Sequence, residues 1–83
     1  MPTTLISGPY RFSFFSLDCA EPRHTHVWRD NADGKFWLDP IKLESNNGFS
    51  RKDLREIERI IVTNLNLLRE KWDEHCAGTT RRG

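Results

Sequence analysis

The sequence predicts a small α+β domain, in which an antiparallel sheet of three strands packs against one long C-terminal helix. Two patterns predict this class. Runs that alternate apolar with polar residues fill the first half of the chain, and apolar residues at helical spacing fill the second half. A chain of 83 residues has room for one domain. We expect residues 1–77 to form it and residues 78–83 to be a disordered tail.

Composition excludes several classes of protein. No apolar run approaches the ~20 residues that a membrane-spanning helix needs, and the chain opens without a signal-peptide pattern. The two cysteines, Cys19 and Cys76, are too few to indicate a secreted disulfide scaffold. We therefore expect a cytoplasmic protein with reduced thiols and no membrane association. A net charge of +1 predicts no general attraction to nucleic acid.

The first predicted strand covers residues 10–15. Tyr10, Phe12 and Phe14 recur at every second position, which places them on one face of a strand. A turn-like segment precedes this strand, and a loop that ends at Pro22 follows it.

Residues 25–39 carry the signal of a β-hairpin, because the turn dipeptide Asp33-Gly34 separates two β-prone runs. Any loop of even length pairs even positions of the first strand with odd positions of the second. The residues then expected on one face are His24, His26, Trp28, Lys35, Trp37 and Asp39. Those expected on the core face are Val27, Phe36 and Leu38. After Pro40 the run Ile41–Glu44 still alternates, and we expect it to continue the second strand past a kink.

Residues 51–75 predict one long helix. Ser50 is a suitable N-cap, and Asp53 favours the positive end of the helix dipole. Gly78 is suited to the C-terminal end of the helix. Apolar residues at helical spacing form a stripe that can cover a sheet. They are Leu54, Ile57, Ile61, Leu65, Leu68 and Trp72.

The length of this helix has a consequence for assembly. It would span about 37 Å, whereas a compact chain of this size has a radius of gyration of about 12 Å. The helix must overhang the sheet, bend near Asn64 and Asn66, or pack on another copy. We expect a homodimer or a complex that buries the exposed parts of Leu65, Leu68 and Trp72.

His24 and His26 are the first candidates for chemistry. Residues two apart on a strand point to the same side, about 7 Å apart, which suits either two metal ligands or an acid and a base for phosphodiester cleavage. Lys35 on the paired strand would stabilise the charged transition state. The alternative is a pair of structural histidines.

Metal and cofactor sites are not predicted, because the candidate ligands lack the paired spacing of a structural zinc site. These candidates are Cys19, His24, His26, Asp39, His75 and Cys76.

Trp28 and Trp37 are the first candidates for binding. Two indoles on the outer face of so small a sheet favour a surface for a protein or for unstacked bases. The alternative is that the N-terminal segment packs over them. Arg11 is a candidate phosphate contact, as are Arg55 and Arg59 in the basic part of the helix, where a solvated helix face is the other interpretation.

Several blocks of the sequence resemble the bacterial domain-of-unknown-function family 4160 over roughly residues 1 to 77. The blocks are Tyr10-Arg11-Phe12, Glu21-Pro22-x-His24-x-His26-Val27, Lys35-Phe36-Trp37-Leu38-Asp39-Pro40, Asn47-Gly48-Phe49-Ser50 and a helix ending in Trp72. The resemblance implies a small stand-alone protein encoded beside a second small domain, as in a toxin–antitoxin pair. Arg23 stands where the family usually has a second proline.

Two functional hypotheses follow. In the first, the chain is a toxin that acts on RNA, with the two histidines as acid and base and with Lys35 and Arg11 as phosphate contacts. In the second, it is a non-enzymatic interaction module, an antitoxin or a transcriptional regulator, that docks a partner through Trp28 and Trp37. The expected partner is the product of the neighbouring gene or a second copy of the chain, with RNA as a further candidate.

Overall fold

The sheet has five strands and is covered on one face by two helices. The computed structural model describes residues 3–14 and 19–80. The strands lie side by side in chain order, each antiparallel to the next. The elements are β1 (Thr3–Ser7), β2 (Tyr10–Ser13), β3 (His24–Arg29), β4 (Ala32–Leu38), β5 (Ile41–Asn47), α1 (Arg51–Thr63) and α2 (Leu65–Thr80). The α+β class is confirmed, whereas the prediction of three strands and one long helix is wrong.

Two chain reversals account for the additional strands. Gly8, whose φ of 59° is one that glycine adopts readily, turns the chain between β1 and β2. Asp39 and Pro40, which are joined by a cis peptide bond, form the turn between β4 and β5. The run after Pro40 therefore reverses and pairs with β4, instead of continuing it past a kink.

The turn of the central hairpin is at Asp30 and Asn31, so the prediction of a turn at Asp33 and Gly34 is wrong. Asp30 has a φ of 53°, a region that Asp adopts more readily than most residues. This two-residue turn is still an even loop, so the predicted pairing of even with odd positions is confirmed. The cross-strand pairs include His24 with Trp37, Thr25 with Phe36, and His26 with Lys35.

Gly34 lies inside β4, where a side chain would have little room. A Cβ atom built there would lie 3.0 Å from the backbone oxygen of Ser45 and 3.6 Å from the ring of Phe49. The oxygen of Ser45 is the tight contact, whereas the distance to the buried ring of Phe49 is an ordinary van der Waals contact. Close approach of this kind is a common reason for glycine within a strand.

The core lies between the sheet and the helices. It contains Tyr10, Phe12, Phe14, Val27, Phe36, Leu38, Phe49, Ile57, Ile61, Leu68 and Trp72, none of which is more than 6% exposed. The predicted core positions Val27, Phe36 and Leu38 are confirmed. The face that Tyr10, Phe12 and Phe14 share is also packed in the core. Phe15, the last residue of the predicted first strand, lies outside the described residues.

The start of α1 is held by a capping box and by the sheet. The hydroxyl of Ser50 accepts a hydrogen bond from the N–H of Asp53 at 3.1 Å, and the Asp53 carboxylate accepts one from the N–H of Ser50 at 3.2 Å. The buried Tyr10 donates its hydroxyl to Asp53 at 3.1 Å. The N–H of Ser50 lowers the pKa of Asp53, and burial raises the pKa of Tyr10. The predicted cap is confirmed.

The long predicted helix is interrupted at Asn64. Its side-chain amide and its backbone N–H both donate to the backbone oxygen of Ile60, at 2.9 and 3.0 Å. Asn side chains compete in this way for backbone groups of a helix, and the φ of Asn64, −111°, is not helical. α2 then continues beyond Gly78, the predicted end, to Thr80. Residues 81–83 of the predicted tail lie outside the described residues.

The interruption changes the argument for assembly. α1 contacts β5 and α2 contacts β1, so the two helices lie on the same face of the sheet but toward its opposite edges. Leu68 and Trp72 are 0% and 5% exposed within one chain, and Leu65 is half-buried. The chain thus largely buries the side chains that were expected to need a partner, and of the three predicted alternatives the break near Asn64 is the one observed. Neither α1 nor α2 has an apolar stretch that could cross a bilayer.

Cys19 and Cys76 form a disulfide, so the expectation of reduced thiols is wrong. Their Cα atoms lie 5.6 Å apart although the residues are 57 positions apart in the sequence. The return of α2 to the loop before β3 brings them together, which no local sequence pattern indicates. Because disulfides are typical of oxidising compartments, the cysteine content no longer supports a cytoplasmic location.

Phe36→Ala is expected to lower the free energy of unfolding by about 3–5 kcal/mol, because it leaves a cavity in the centre of the core. Phe36 is only 2% exposed. Urea denaturation followed by circular dichroism measures the change. A midpoint within error of the wild-type value would show that Phe36 does not lie in the core.

Reduction of the disulfide is expected to lower the free energy of unfolding by about 2–4 kcal/mol, because the cross-link restricts the unfolded chain. Urea denaturation with and without a phosphine reductant measures this loss. The variant with both Cys19→Ser and Cys76→Ser is the control, and its stability should not respond to the reductant. Equal midpoints for oxidised and reduced wild type would contradict the expectation.

Candidate functional site

The predicted site residues of the sheet share its outer face, which is the face opposite the core. The register of the strands aligns them in rows across the sheet. One row contains Ile6, Arg11 and Trp28, the next contains Ser13, His26 and Lys35, and the third contains His24, Trp37 and Lys42. The shared face that the sequence predicts for the histidines, Lys35 and the tryptophans is therefore the one observed.

His24 lies on this face but is completely buried. Its ring centroid is 4.9 Å from that of Trp72, 5.5 Å from that of Trp37 and 5.2 Å from that of His26. Its Nδ1 lies 2.9 Å from the backbone oxygen of Pro22. Since a carbonyl only accepts, this contact assigns a proton to Nδ1. His24 is therefore placed to orient its neighbours rather than to contact a substrate.

Lys35 faces His26 across β3 and β4 and is already paired. Its Nζ lies 2.7 Å from Oε1 of Glu21, and its side chain is 18% exposed. The same Nζ lies 4.6 Å from the centroid of the Trp37 ring, which is a cation–π contact. His26 beside it is half-buried. An incoming phosphate would have to compete with Glu21 for this lysine.

Trp37 is similarly engaged within the chain. Its Nε1 donates to Oε1 of Glu44 at 2.9 Å, so its N–H is bonded and its ring contacts both Lys35 and His24. A break in the register of β4 and β5 accompanies this contact. The half-buried Trp37 thus helps to build the outer face, with less of its surface left for a ligand.

Trp28 lies beside exposed side chains on the outer face. We call Ile6, Arg11 and Trp28 the Trp28 patch, because they are directly opposite one another on three neighbouring strands. Ile6 is 64% exposed, Arg11 is exposed and Trp28 is half-buried. Sequence reasoning did not assign Ile6 to the site, since β1 was not predicted as a strand. A cleft of about 300 Å³ is lined by Pro9, Arg11, Trp28, Arg29 and Asp30.

Arg55 and Arg59 do not join the other predicted binding residues. They belong to α1, on the opposite side of the sheet from the Trp28 patch, and both are exposed. Together with Lys52 and Glu56 they line a shallow cleft of about 270 Å³. The predicted set is therefore divided between two surfaces of the molecule.

A network around Arg23, which sequence reasoning missed, holds the loop before β3. The Arg23 guanidinium donates to Asp39 at 3.0 Å and to both carboxylate oxygens of Asp73 at 3.1 and 3.0 Å. Arg69 also donates to Asp39. Burial alone would raise the pKa of Asp39, but hydrogen bonds from Arg23 and Arg69 outweigh it and lower the pKa.

A metal centre has little support in the part of the chain that the structure describes. Within residues 3–14 and 19–80, no three His, Cys, Asp or Glu side chains come together as a metal site requires. Cys19 and Cys76, which were among the candidate zinc ligands, are joined to each other.

Comparison with known families supports the resemblance seen in the sequence. The profile of the family described as "Domain of unknown function (DUF4160)" matches residues 10–73, which is most of the chain. The chain belongs to the DUF4160 family. The DUF4160 match runs from β2 into α2, so it includes both histidines, both tryptophans of the outer face and Arg23, but neither β1 nor Cys76. No curated protein and no solved structure matches the chain significantly.

Replacement of His24 and replacement of His26 should differ in their effect on the stability of the chain. His24→Ala is expected to lower the free energy of unfolding by about 2–4 kcal/mol, because it removes a buried ring between two tryptophans. His26→Ala, the matched control on the same strand, should cost less than about 1 kcal/mol, because His26 is half-buried. Chemical denaturation of the two variants measures the difference. Equal losses would contradict a structural role for His24.

Proposed function

We propose that this DUF4160 chain is the partner-binding component of a two-protein, toxin–antitoxin-like module and that it docks its partner through the Trp28 patch. The observation that carries the proposal is the open row of Ile6, Arg11 and Trp28 on the face that the helices leave uncovered. Tryptophan and arginine often dominate the binding energy of protein interfaces. Exposed apolar surface beside them favours an interaction site. The gene pairing expected for the family supports the two-protein arrangement.

Docking through the Trp28 patch needs only side chains that lie at the surface of the outer face. Catalysis by both histidines would also need access to His24, which is buried. His24 is 0% exposed, and the Lys35 ammonium is bound to Glu21. General acid–base catalysis needs each group within hydrogen-bond reach of the reacting atoms. An RNA substrate could meet that requirement at His24 only if the surrounding side chains moved.

RNA cleavage is the second candidate function, and the pairing of His26 with Lys35 favours it. The two residues are opposite one another on the outer face, and Arg11 lies in the neighbouring row. In this version His26 would transfer the proton, Lys35 would stabilise the charge of the transition state, and His24 would orient His26. Loss of such an acid–base group typically slows a reaction by about 10²–10⁴-fold.

A cytoplasmic location is part of this proposal, since the partners of such modules meet in the cytoplasm. Cys19 and Cys76 would there exchange between thiol and disulfide according to the local reduction potential. The redox state of these cysteines in intact cells is the measurement that bears on the location.

Trp28→Ala is expected to weaken the complex with the protein encoded by the neighbouring gene by about tenfold or more, because it removes the central side chain of the patch. Isothermal titration calorimetry on the purified proteins measures the loss. Lys71→Ala is the control, because Lys71 is exposed on α2, away from the outer face. Equal affinities for Trp28→Ala and wild type would refute docking through the patch.

The same proteins distinguish the other candidates. Light scattering of the chain alone would reveal a homodimer in place of a complex with a second protein. Expression of the chain without the partner gene tests whether it cleaves RNA and arrests growth. The result that favours catalysis is growth arrest and RNA cleavage by the wild type that are lost in His26→Ala and Lys35→Ala but kept in Trp28→Ala. That result would show that the chain acts by catalysis and not by docking through the patch.

A further inference from the structure

The outer edge of β5 is open in the part of the chain that the structure describes. β5 is the last strand of the sheet and pairs only with β4 there. Residues 42–47 of this strand are all exposed. An edge strand presents a row of backbone N–H and C=O groups that can pair with another extended chain. The edge is therefore a surface for adding a strand.

An apolar cleft runs beside this edge, between β5 and α1. Its volume is about 280 Å³, and Ile41, Leu43 and Leu54 contribute apolar surface to it. Leu43 is 38% exposed, although it pairs with the buried Phe36 of β4. A side chain from a strand added to β5 on the helix side would enter this cleft and cover Leu43.

The rim of the cleft is cationic. Arg51 and Arg55 of α1 line it together with a single acidic residue, Glu58. Neither arginine forms an ion pair with another described residue. This charge favours an acidic partner, and it disfavours a second copy of the same rim because like charges would meet.

We propose that β5 and this cleft bind an extended acidic segment of a partner protein, which adds to the sheet beside β5. Side chains two residues apart on a strand point to the same face. The segment would place an aliphatic side chain in the cleft and, two residues along, a carboxylate against Arg51 or Arg55. Main-chain pairing would supply affinity and the cleft would supply specificity. This surface is separate from the Trp28 patch, and the inference does not depend on the proposed function.

Two synthetic peptides test the charge preference. The fluorescein-labelled peptide TVTETVT places two valines and a glutamate on one face of a strand, and TVTKTVT replaces the glutamate with lysine. We expect the full-length, oxidised protein to bind the glutamate peptide roughly tenfold more tightly at low salt, because the rim is cationic. Fluorescence anisotropy measures both affinities. Equal binding of the two peptides, or no binding of the glutamate peptide, would overturn the proposal.

A matched pair of variants tests the location. Arg55→Glu should weaken binding of the glutamate peptide by roughly fivefold to tenfold, because it reverses a charge on the rim. Lys52→Glu makes the same change of charge on α1 but outside the cleft, so its effect should stay below about twofold. Equal effects of the two variants would show that binding depends on overall charge rather than on the cleft.

Backbone methylation tests the pairing of strands. Alternate N–H groups of an added strand point toward β5, and the others point away. One peptide carries N-methyl groups on the valines and the glutamate, and a second carries them on the threonines. One of the two patterns should therefore abolish binding, and the other should preserve it. Binding that tolerates both patterns would exclude strand addition.

Discussion

The fold depends on covering the one apolar face of the sheet. Phe12, Val27 and Phe36 line that face and are almost completely buried, and a sheet of this size is stable only when such a face is packed against another layer. The interruption at Asn64 allows α1 to lie near β5 and α2 near β1. Both helices lie on this face, and Trp72 of α2 also covers His24. The rest of the outer face and the edge of β5 remain available to partners.

The loop before β3 connects this packing to the candidate site. The disulfide ties the loop to α2, and the guanidinium of Arg23 binds Asp73 of the same helix. Glu21 of the loop binds Lys35 at 2.7 Å. A displacement of α2 would therefore move the side chains that surround Lys35. Arg23 therefore helps to hold the loop through its side chain.

The assignment of faces could be predicted although the position of the turn could not. Even positions of β3 pair with odd positions of β4 whenever the loop between them has an even number of residues. The two-residue turn at Asp30 and Asn31 meets this condition. The signal at Asp33 was misleading because Gly34 is favoured for another reason, which is the close approach of the Ser45 backbone oxygen on β5. A glycine required by packing looks the same in a sequence as a glycine required by a turn.

The sequence by itself determined the α+β class, the core positions of the central strands and the cap of α1, because alternation, helical spacing and capping are patterns among near neighbours. Only the tertiary structure decided the number of strands, the disulfide and the burial of His24. Each depends on residues that are distant in the chain, as Cys19 and Cys76 are at a separation of 57. A histidine on the outer face of a strand is accessible unless another element covers it, and the element that covers His24 is α2 through Trp72.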